Sequence, residues 1–597
     1  MGIMKEFFNK NKNLLISMLL FVASVTFWYA YGNYPKLLTT YKDELIYYSM
    51  AQNFAQGRGL VTIYGGLPYN TSRYLYSILI SPTFLFADRI QQFKALSLIN
   101  SITICSGIFP TALLAKKALK KDSHIILVLF LYALSVDMGY SLVIMSDVLF
   151  YPICIWFFYF VYCYLDDHTV RYLIFILFIS VIGLFTKRAM LVMMGSFAFI
   201  FFIDLLCEKN SLIKKKYFLL LIMLFVTIGV FLAYKLGFNR VIIAYFKKYI
   251  SYLSENKFSF IKVNVYYVMH LVLGMIALPL LLPYVYFDKL SKSDKKFLGL
   301  LTLVLLCYAF VNYVHVLGPM NDARVSYRYI MFLVPLFNIL FFKTFESTEN
   351  ANYNYIRWGI ILLVGVAMFM FYQGVFRGSL VDYFSLGYVY FIQNVSVKLL
   401  KCICLGFIVI STLLFFWKKK ACIGFFVVAF IVAQVASLMT HVEFTKMYYS
   451  VSETTLEAIN ISEEFVKEHM EDTILILHEY KDDMNVGEYI SSVPNRLADT
   501  FLNYENTLHT SIDRLVESEF ENGKGIDLNE SKIIVAFYMT SVKGVSYQNT
   551  KIDYIMVSSY SEPYIDENLC EKVELNESLF KVYKLKDPSI LPIKKLD

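Results

Sequence analysis

Long runs of apolar residues alternate with short polar segments along the first 440 residues of the chain. Each run is close to the length of about 20 residues that a helix needs to cross the hydrocarbon core of a bilayer. The runs lie roughly at 14–31, 95–115, 124–141, 148–165, 171–186, 189–206, 217–236, 263–287, 297–316, 328–345, 357–374, 398–416 and 421–440. The pattern predicts an α-helical polytopic membrane protein with about 13 transmembrane helices.

A different pattern follows residue 440, where short apolar stretches alternate with polar ones. Residues 453–470 have the spacing of an amphipathic helix, and a second helix is predicted near 508–520. Strands are predicted at 473–478, 533–538, 552–558 and 579–585. We therefore divide the chain into a transmembrane domain, 1–440, and a soluble α/β domain, 441–597.

Composition and charge agree with this division. Apolar residues make up 58% of the chain and aromatic residues 17%, which is typical of a membrane protein. Residues 441–597 hold 29 acidic and 15 basic residues, whereas the first 440 hold 18 and 40. The basic residues lie between the apolar runs and not in one stripe, so nucleic acid is not a predicted partner.

Lysine clusters fall in alternate loops, at 5–12, 116–121, 214–216, 289–296 and 418–420. Because cytoplasmic loops are enriched in Lys and Arg, these loops are predicted to face the cytoplasm. The N-terminus is then a cytoplasmic, uncleaved start, and residues 441–597 lie outside the cell membrane. Residues 32–94 form the first outer loop. Within it, segment 74–88 is too short to cross and contains Pro82, so it is predicted to lie in the outer interface.

The first outer loop contains an adjacent pair of carboxylates, Asp43 and Glu44, in a helix predicted to begin near Tyr41 and to end at Gly57 or Gly59. Helical spacing places Asp43, Tyr47, Met50 or Ala51, and Phe54 on one face. One interpretation is structural: acidic side chains in the first turn of a helix interact favourably with the helix dipole, and each stabilises the helix by about 0.3–1 kcal/mol. The other is chemical: a membrane enzyme can use a carboxylate here to deprotonate an acceptor.

The stretch YKDELIYYSMAQNFAQGRGLVTIYGGLPYNTSRYLYSILISP resembles the first outer loop of the GT-C superfamily of polyprenyl-phosphate-sugar transferases. That pattern has an Asp-Glu pair, Tyr and Ala at helical spacing, a Gly, and an interfacial segment rich in Pro, Tyr and Leu. The matching positions are Asp43, Glu44, Tyr47, Ala51, Gly57, Gly59, Pro68, Tyr76 and Pro82. The layout of spans followed by an outer domain resembles the lipid A aminoarabinose transferases, relatives of the protein O-mannosyltransferases. Local motifs cover residues 14–345.

Three further motifs fit this resemblance, and all lie on the predicted outer side. MSDVLFYP contains Asp147, FTKRAMLVMM contains Lys187 and Arg188, and NDARVSYRYIMFLVP contains Arg324, Arg328, Tyr329 and Pro335. Charged residues at a membrane boundary also occur simply as contacts to water or lipid headgroups, so this alternative stays open.

The resemblance implies transfer of a sugar from a polyprenyl phosphate to an extracytoplasmic acceptor, which could be a wall polymer, a glycolipid or a protein. Asp43 would be the general base of an inverting reaction, oriented by Glu44. Arg324, Arg328, Arg188 and Lys187 would bind the donor phosphate. Tyr47, Tyr329, Arg58 and Arg73 would line the substrate pocket.

Cofactors are left open by the sequence. Asp147 could position the acceptor, or could join Asp43 in holding a divalent cation such as Mg²⁺, Mn²⁺ or Zn²⁺. No nucleotide is expected, because the chain has no Gly-rich loop of the kind that cradles phosphates.

Two other functions remain as alternatives. A flippase or transporter of lipid-linked sugars would carry ionisable residues deep within its spans and repeat symmetry between its halves, neither of which we detect. A polysaccharide polymerase or ligase usually has a large central outer loop, whereas the segment 317–328 is short.

Overall fold

The computed structural model describes residues 2–32, 42–64, 67–69, 74–207, 270–275, 278–316, 327–348, 396–448, 451–478, 551–558, 562–575 and 578–594, with short pieces between 358 and 392 and between 502 and 547. The predicted span 217–236, most of the predicted span 357–374, and the candidate site residues Arg73 and Arg324 lie outside the described residues.

The chain divides into two compact units. The helical unit comprises Met1–Tyr31, Leu98–Leu142 and Ser146–Glu443, and the α/β unit comprises Gly32–Ser97, Val143–Met145 and Phe444–Asp597. The sequence assigned residues 32–94 to the transmembrane domain. In the structure they belong instead to the same compact unit as the C-terminal segment.

Helices dominate the described part of the chain. In chain order, the α-helices are α1 (Gly2–Tyr31), α2 (Lys42–Ala55), α3 (Leu75–Ile80), α4 (Arg89–Cys105), α5 (Ile108–Ala118), α6 (Asp122–Ala133), α7 (Asp147–Asp167), α8 (Val170–Thr186), α9 (Met190–Cys207), α10 (Leu278–Val285), α11 (Lys292–Val316), α12 (Leu333–Ser347), α13 (Val397–Trp417), α14 (Lys419–Tyr448) and α15 (Glu453–Glu468). Short 3₁₀ helices cover Ser81–Leu85, Val136–Leu142, Phe287–Lys289, Tyr327–Tyr329, Phe384–Leu386 and Glu562–Tyr564.

Among the described residues, four helical segments are long and apolar enough to cross a membrane: Lys12–Tyr31, Arg89–Ala118, Asp147–Asp167 and Lys420–Val442. The helices Asp122–Ala133 and Val136–Leu142 form a fifth candidate, bent by 40°. Helix α8 is apolar but spans 17 residues, fewer than a perpendicular crossing requires. The count of about 13 spans therefore stays a prediction.

Helix α7 lies at the core of the helical unit, where it contacts α5, α8 and α11. Its residues Phe157 and Phe158 are fully buried. Helix α1 is peripheral and exposes Leu14, Leu19 and Val22. Exposed apolar side chains on a long helix are expected where lipid, not water, surrounds the protein.

Polar contacts join helix ends within the helical unit. Lys117 forms an ion pair with Asp166 at 2.7 Å. The carboxylate of Glu346 accepts hydrogen bonds from the backbone N–H groups of residues 120 and 121, at 2.8 and 2.9 Å. Lys117, Lys120 and Lys121 belong to the lysine-rich segment 116–121, and the alternation of predicted spans places Asp166 and Glu346 on the same side as that segment.

The α/β unit contains β-strands in one larger sheet and several two-stranded pairs. In chain order, the strands are β1 (Thr62–Tyr64), β2 (Leu67–Tyr69), β3 (Ile474–His478), β4 (Thr507–Ser511), β5 (Ile526–Asp527), β6 (Ile533–Ile534), β7 (Ser546–Tyr547), β8 (Tyr554–Val557), β9 (Cys570–Val573), β10 (Lys581–Leu585) and β11 (Ile590–Leu591).

The larger sheet has five strands in the order β4-β3-β8-β10-β9. Strand β3 runs parallel to β4 and to β8. Strand β10 runs antiparallel to β8 and to β9. The two-stranded pairs are β1 with β2, β5 with β11, and β6 with β7.

Strands β3, β8 and β10 and helix α15 lie where the sequence predicted them. The helix predicted near 508–520 is wrong over its first residues, because residues 507–511 form strand β4. Pairing with β3 in the sheet overrides the weak local preference of this segment. Residues 512–520 lie outside the described residues.

Candidate functional site

Helix α2 carries the carboxylate pair, and a glycine ends it. Gly57 adopts a positive φ of 76°, which only glycine adopts without strain. The Gly57 N–H donates to the carbonyl of Phe54 at 3.1 Å, and the Arg58 N–H donates to that of Asn53 at 2.9 Å. These two bonds form a common helix-ending motif, so of the two predicted helix ends, Gly57 and Gly59, the structure has the one at Gly57.

The buried face of α2 holds the helix in place. Tyr47, Met50 and Ala51 are almost completely buried, and the ring of Tyr47 meets that of Tyr76 edge-on at a centroid distance of 5.3 Å. Phe54 departs from the predicted face, since 39% of its surface is exposed. Tyr47 therefore packs as a core residue of the α/β unit.

The two adjacent carboxylates occupy different environments. Glu44 is completely buried, and its Oε1 accepts a hydrogen bond from the backbone N–H of Ile144 at 3.2 Å. Asp43 is half-buried in the first turn of α2, a position at which acidic side chains are common. Glu44 thus ties the first outer loop to the segment Val143–Met145, and Asp43 is the more accessible group of the pair.

Arg58 follows the end of α2. It is exposed, and its guanidinium donates a hydrogen bond to the side chain of Gln56. Its role in a substrate pocket stays a prediction, as do the roles of Arg73 and Arg324.

In the helical unit, the ends of α7 and α8 bring two predicted site residues together. Asp147 is the first residue of α7, and Lys187 directly follows the last residue of α8. The Lys187 Nζ lies 2.5 Å from the Asp147 Oδ1, and only 11% and 3% of the two side chains are exposed. A carboxylate at a helix N-terminus and a cation at a helix C-terminus are each favoured by the helix dipole.

Tyr329 connects this ion pair to a second cation. The Lys187 Nζ lies 4.4 Å from the centre of the Tyr329 ring, and the guanidinium carbon of Arg328 lies 5.1 Å from it. Arg328 also donates a hydrogen bond to the Tyr329 hydroxyl at 3.3 Å. We call Asp147, Lys187, Arg328 and Tyr329 the cation cluster; it brings together residues from three separate motifs and carries a formal charge of +1.

Two further features were not found from the sequence. Tyr308 in α11 donates a hydrogen bond to the carbonyl of Ala189 at 2.9 Å, which fixes the turn that holds Lys187 and the half-buried Arg188. A lone tyrosine in an apolar run gives no signal for such a role. The second feature is an ion pair in the α/β unit between Arg89 and Glu463, which are 374 positions apart.

Glu463 is the centre of a buried network in the α/β unit. It pairs with Arg89, accepts a hydrogen bond from the Tyr504 hydroxyl, and lies 3.1 Å from the Lys467 Nζ. Burial by itself raises the pKa of Glu463, but the two cations and the hydroxyl outweigh it and hold that pKa below its ordinary value. Burial, partly offset by Arg89, raises the pKa of the nearby Tyr48 to about 12.

Metal binding was an open question. Among the described residues, there is no group of three or more His, Cys, Asp or Glu side chains that could hold a metal ion. The carboxylate of Asp147 forms an ion pair with Lys187. A cation held by Asp43 and Asp147 therefore stays a prediction.

Of the comparisons with known proteins, the one with solved structures gives matches. No family model matches the chain, and no curated protein sequence matches it. The fold resembles crystal structures of ArnT from Cupriavidus metallidurans, in the apo state and bound to undecaprenyl phosphate. The identity is 12% in both comparisons, the alignments cover 95% of this chain and 97% of the other, and the TM-scores are 0.45 and 0.44.

ArnT is a lipid A aminoarabinose transferase of the GT-C class, the group that the first outer loop resembles. Both TM-scores are below 0.5, and the identity is too low for this likeness to show a function.

Proposed function

We propose that the protein is an integral membrane glycosyltransferase of GT-C type that moves a sugar from a polyprenyl phosphate to an acceptor outside the cytoplasm. The observation that carries the proposal is the cation cluster. Two cations share one tyrosine ring at helix ends that the lysine pattern assigns to the outer side. Phosphate at the end of a lipid chain needs such fixed positive charge at the membrane boundary.

In this proposal the cations act mainly as the bond to the sugar breaks. The donor is an anion from the outset, and the leaving polyprenyl phosphate gains negative charge in the transition state. Lys187 and Arg328 are held in place before the reaction by Asp147 and Tyr329, so they need not reorganise when that charge develops. Arg188 and Arg324 are proposed as additional phosphate ligands.

Asp43 is proposed as the general base. An acceptor hydroxyl would give its proton to the Asp43 carboxylate as its oxygen attacks the anomeric carbon, and the bond from that carbon to the phosphate oxygen would break on the opposite face with inversion. The environments support this division of roles. Asp43 is half-buried, whereas Glu44 is fully buried against the N–H of Ile144 and acts as a positioning residue.

We propose for Asp147 a role other than positioning the acceptor or holding a cation. Its carboxylate neutralises part of the charge of Lys187 at 2.5 Å, so we propose that it orients this cation. The acceptor is proposed to be a glycan, a lipid or a protein of the cell envelope, and the protein is proposed to span the cell membrane with its C-terminal domain outside.

Binding of undecaprenyl phosphate to the purified full-length protein tests the donor side. Arg328→Gln should weaken binding at least tenfold, because a charge-assisted hydrogen bond contributes about 1.5–3 kcal/mol. Arg171→Gln is the matched control, since Arg171 is an exposed arginine in the first turn of α8, at the helix end predicted to face the cytoplasm. Equal binding by wild type, Arg328→Gln and Arg171→Gln would contradict a phosphate site at the cation cluster.

Transfer is tested in cells. Asp43→Asn should abolish transfer and leave undecaprenyl phosphate binding within about twofold, because the carboxamide is nearly isosteric but cannot accept the proton. In a deletion strain the sugar-charged lipid donor should accumulate, and wild type but not Asp43→Asn should clear it. If Asp43→Asn clears the donor as wild type does, Asp43 is not the base. If the donor changes leaflet but no product forms, the protein is a flippase and the proposal is wrong.

A further inference from the structure

The α/β unit contains a cavity of about 380 Å³ with a mainly polar lining. Its walls come from α2, from the segment that leads into α4, and from α15. The volume lies within the range of about 300–1,000 Å³ that is usual for small-molecule sites, but such sites are mostly apolar. An acyl or isoprenoid chain is not the favoured ligand, because it would leave the polar groups of the lining without hydrogen-bond partners.

The charges of the cavity disfavour an anion. At its floor, Glu463 is paired with Arg89 and Lys467, so both cations already serve a carboxylate of the protein. Asp88 and Glu464 add two exposed acids to the lining. The lining thus has three acidic and two basic groups. A phosphate or sulfate group would meet a net negative charge, whereas a neutral ligand would not.

Amide side chains supply the remaining polarity. Gln52, Gln56, Gln92 and Asn460 all line the cavity and come from three different elements. An amide offers both a donor group and an acceptor oxygen, and so does each hydroxyl group of a sugar. Gln92 is held in its place because its amide nitrogen donates to the carbonyl of Phe86 at 2.7 Å. Several amides around one cavity therefore match a ligand with many hydroxyl groups.

Aromatic rings form the apolar part of the same cavity. Tyr48 and Phe84 meet edge-on with their ring centroids 4.8 Å apart, and both line the cavity. Phe86 also lines it, with 44% of its surface exposed. An exposed ring beside hydrogen-bonding groups suits a ligand that has both an apolar C–H face and a polar edge. A pyranose ring is such a ligand.

We propose that this cavity binds a neutral, hydroxyl-rich glycan through its amide groups, with a sugar ring packed against Phe86. The residues that line the cavity belong to the α/β unit, whereas those of the cation cluster belong to the helical unit. That the bound glycan is the acceptor, or part of it, rests on the proposed glycosyltransferase function. The binding itself does not.

The test measures binding directly and needs no transfer. The full-length protein in detergent is applied to immobilised oligosaccharides of glucose, galactose and N-acetylglucosamine, next to sialylated and phosphorylated oligosaccharides. We expect retention on at least one neutral oligosaccharide. The double variant Gln52→Ala with Asn460→Ala should lower that retention at least tenfold, and Gln56→Trp, which places a large ring at the cavity, should do the same without removing a buried group.

Gln91→Ala is the matched control, because Gln91 is an exposed glutamine next to Gln92 that does not line the cavity. It should bind as wild type does. Arg328→Gln should also keep glycan binding, so loss of the lipid-phosphate site and loss of this site are distinguished. The proposal is overturned if no neutral oligosaccharide is retained, if only anionic ones are, or if both cavity variants bind as Gln91→Ala does.

Discussion

The pairing of Asp147 with Lys187 leads to an unusual prediction: removing the acid should strengthen binding of the lipid phosphate, and removing the base should weaken it. The Lys187 Nζ lies 2.5 Å from the Asp147 Oδ1. A phosphate oxygen bonded to another hydrogen of the same ammonium group, at about 2.8 Å, would lie roughly 5 Å from that carboxylate. Like charges at that distance repel by about 3 kcal/mol at an effective dielectric constant of 20.

Asp147→Asn should therefore tighten binding of undecaprenyl phosphate by tenfold or more, since about 1.4 kcal/mol corresponds to a factor of ten. Lys187→Met should weaken it by roughly tenfold to a hundredfold, because it removes a charge-assisted hydrogen bond of about 1.5–3 kcal/mol. Both can be measured by native mass spectrometry of the full-length protein titrated with undecaprenyl phosphate. Arg171→Gln serves as a control for nonspecific charge effects.

The thermal stability of the same variants tests whether Asp147 and Lys187 form a pair. Each single change leaves a nearly buried charge without its partner, which costs about 3–5 kcal/mol, so both variants should unfold at lower temperature than wild type. The double variant Asp147→Asn with Lys187→Met should recover much of this loss. If Asp147→Asn weakens lipid binding as much as Lys187→Met does, while both remain folded, then Asp147 does not act through Lys187 and the reasoning fails.

Two predictions concern the α/β unit, both measured by urea-dependent proteolysis of the full-length protein. Gly57→Ala should destabilise the α/β unit by about 1 kcal/mol, because residue 57 has a positive φ. Gly195→Ala, in helix α9 of the helical unit and with open space around it, should leave the helical unit as stable as wild type or more so. Equal losses of stability in the two variants would contradict the role of the positive φ. The pKa of Glu463 is lowered on folding, so its contribution is present above the unfolded pKa of about 4.5 and is lost as the pH falls through the lower folded value. Stability of wild type should thus fall on acidification below that pH more steeply than that of Glu463→Gln; parallel curves would contradict this.

Features encoded within a few residues were predicted well. The end of α2 follows from Gly57, whose positive φ closes the helix-ending turn. Strand β3 follows from a short apolar run that suits a buried strand. The segment that begins at Thr507 was misassigned because its own residues favour neither state strongly, and its structure is decided by the neighbouring strand β3.

In the candidate site, too, the tertiary structure decides what the local sequence does not. The resemblance implied a base at Asp43 and an orienting role for Glu44, but only the tertiary structure shows that Glu44 is buried and accepts a hydrogen bond from the backbone N–H of Ile144. The apolar periodicity, the charge split and the helix-ending glycines are thus determined by the sequence itself, because each depends on backbone preference or on burial within a few turns of chain. The partners of Lys187 and of Glu463 were decided by the tertiary structure, because such charges pair with whichever group the packed elements bring within hydrogen-bonding distance.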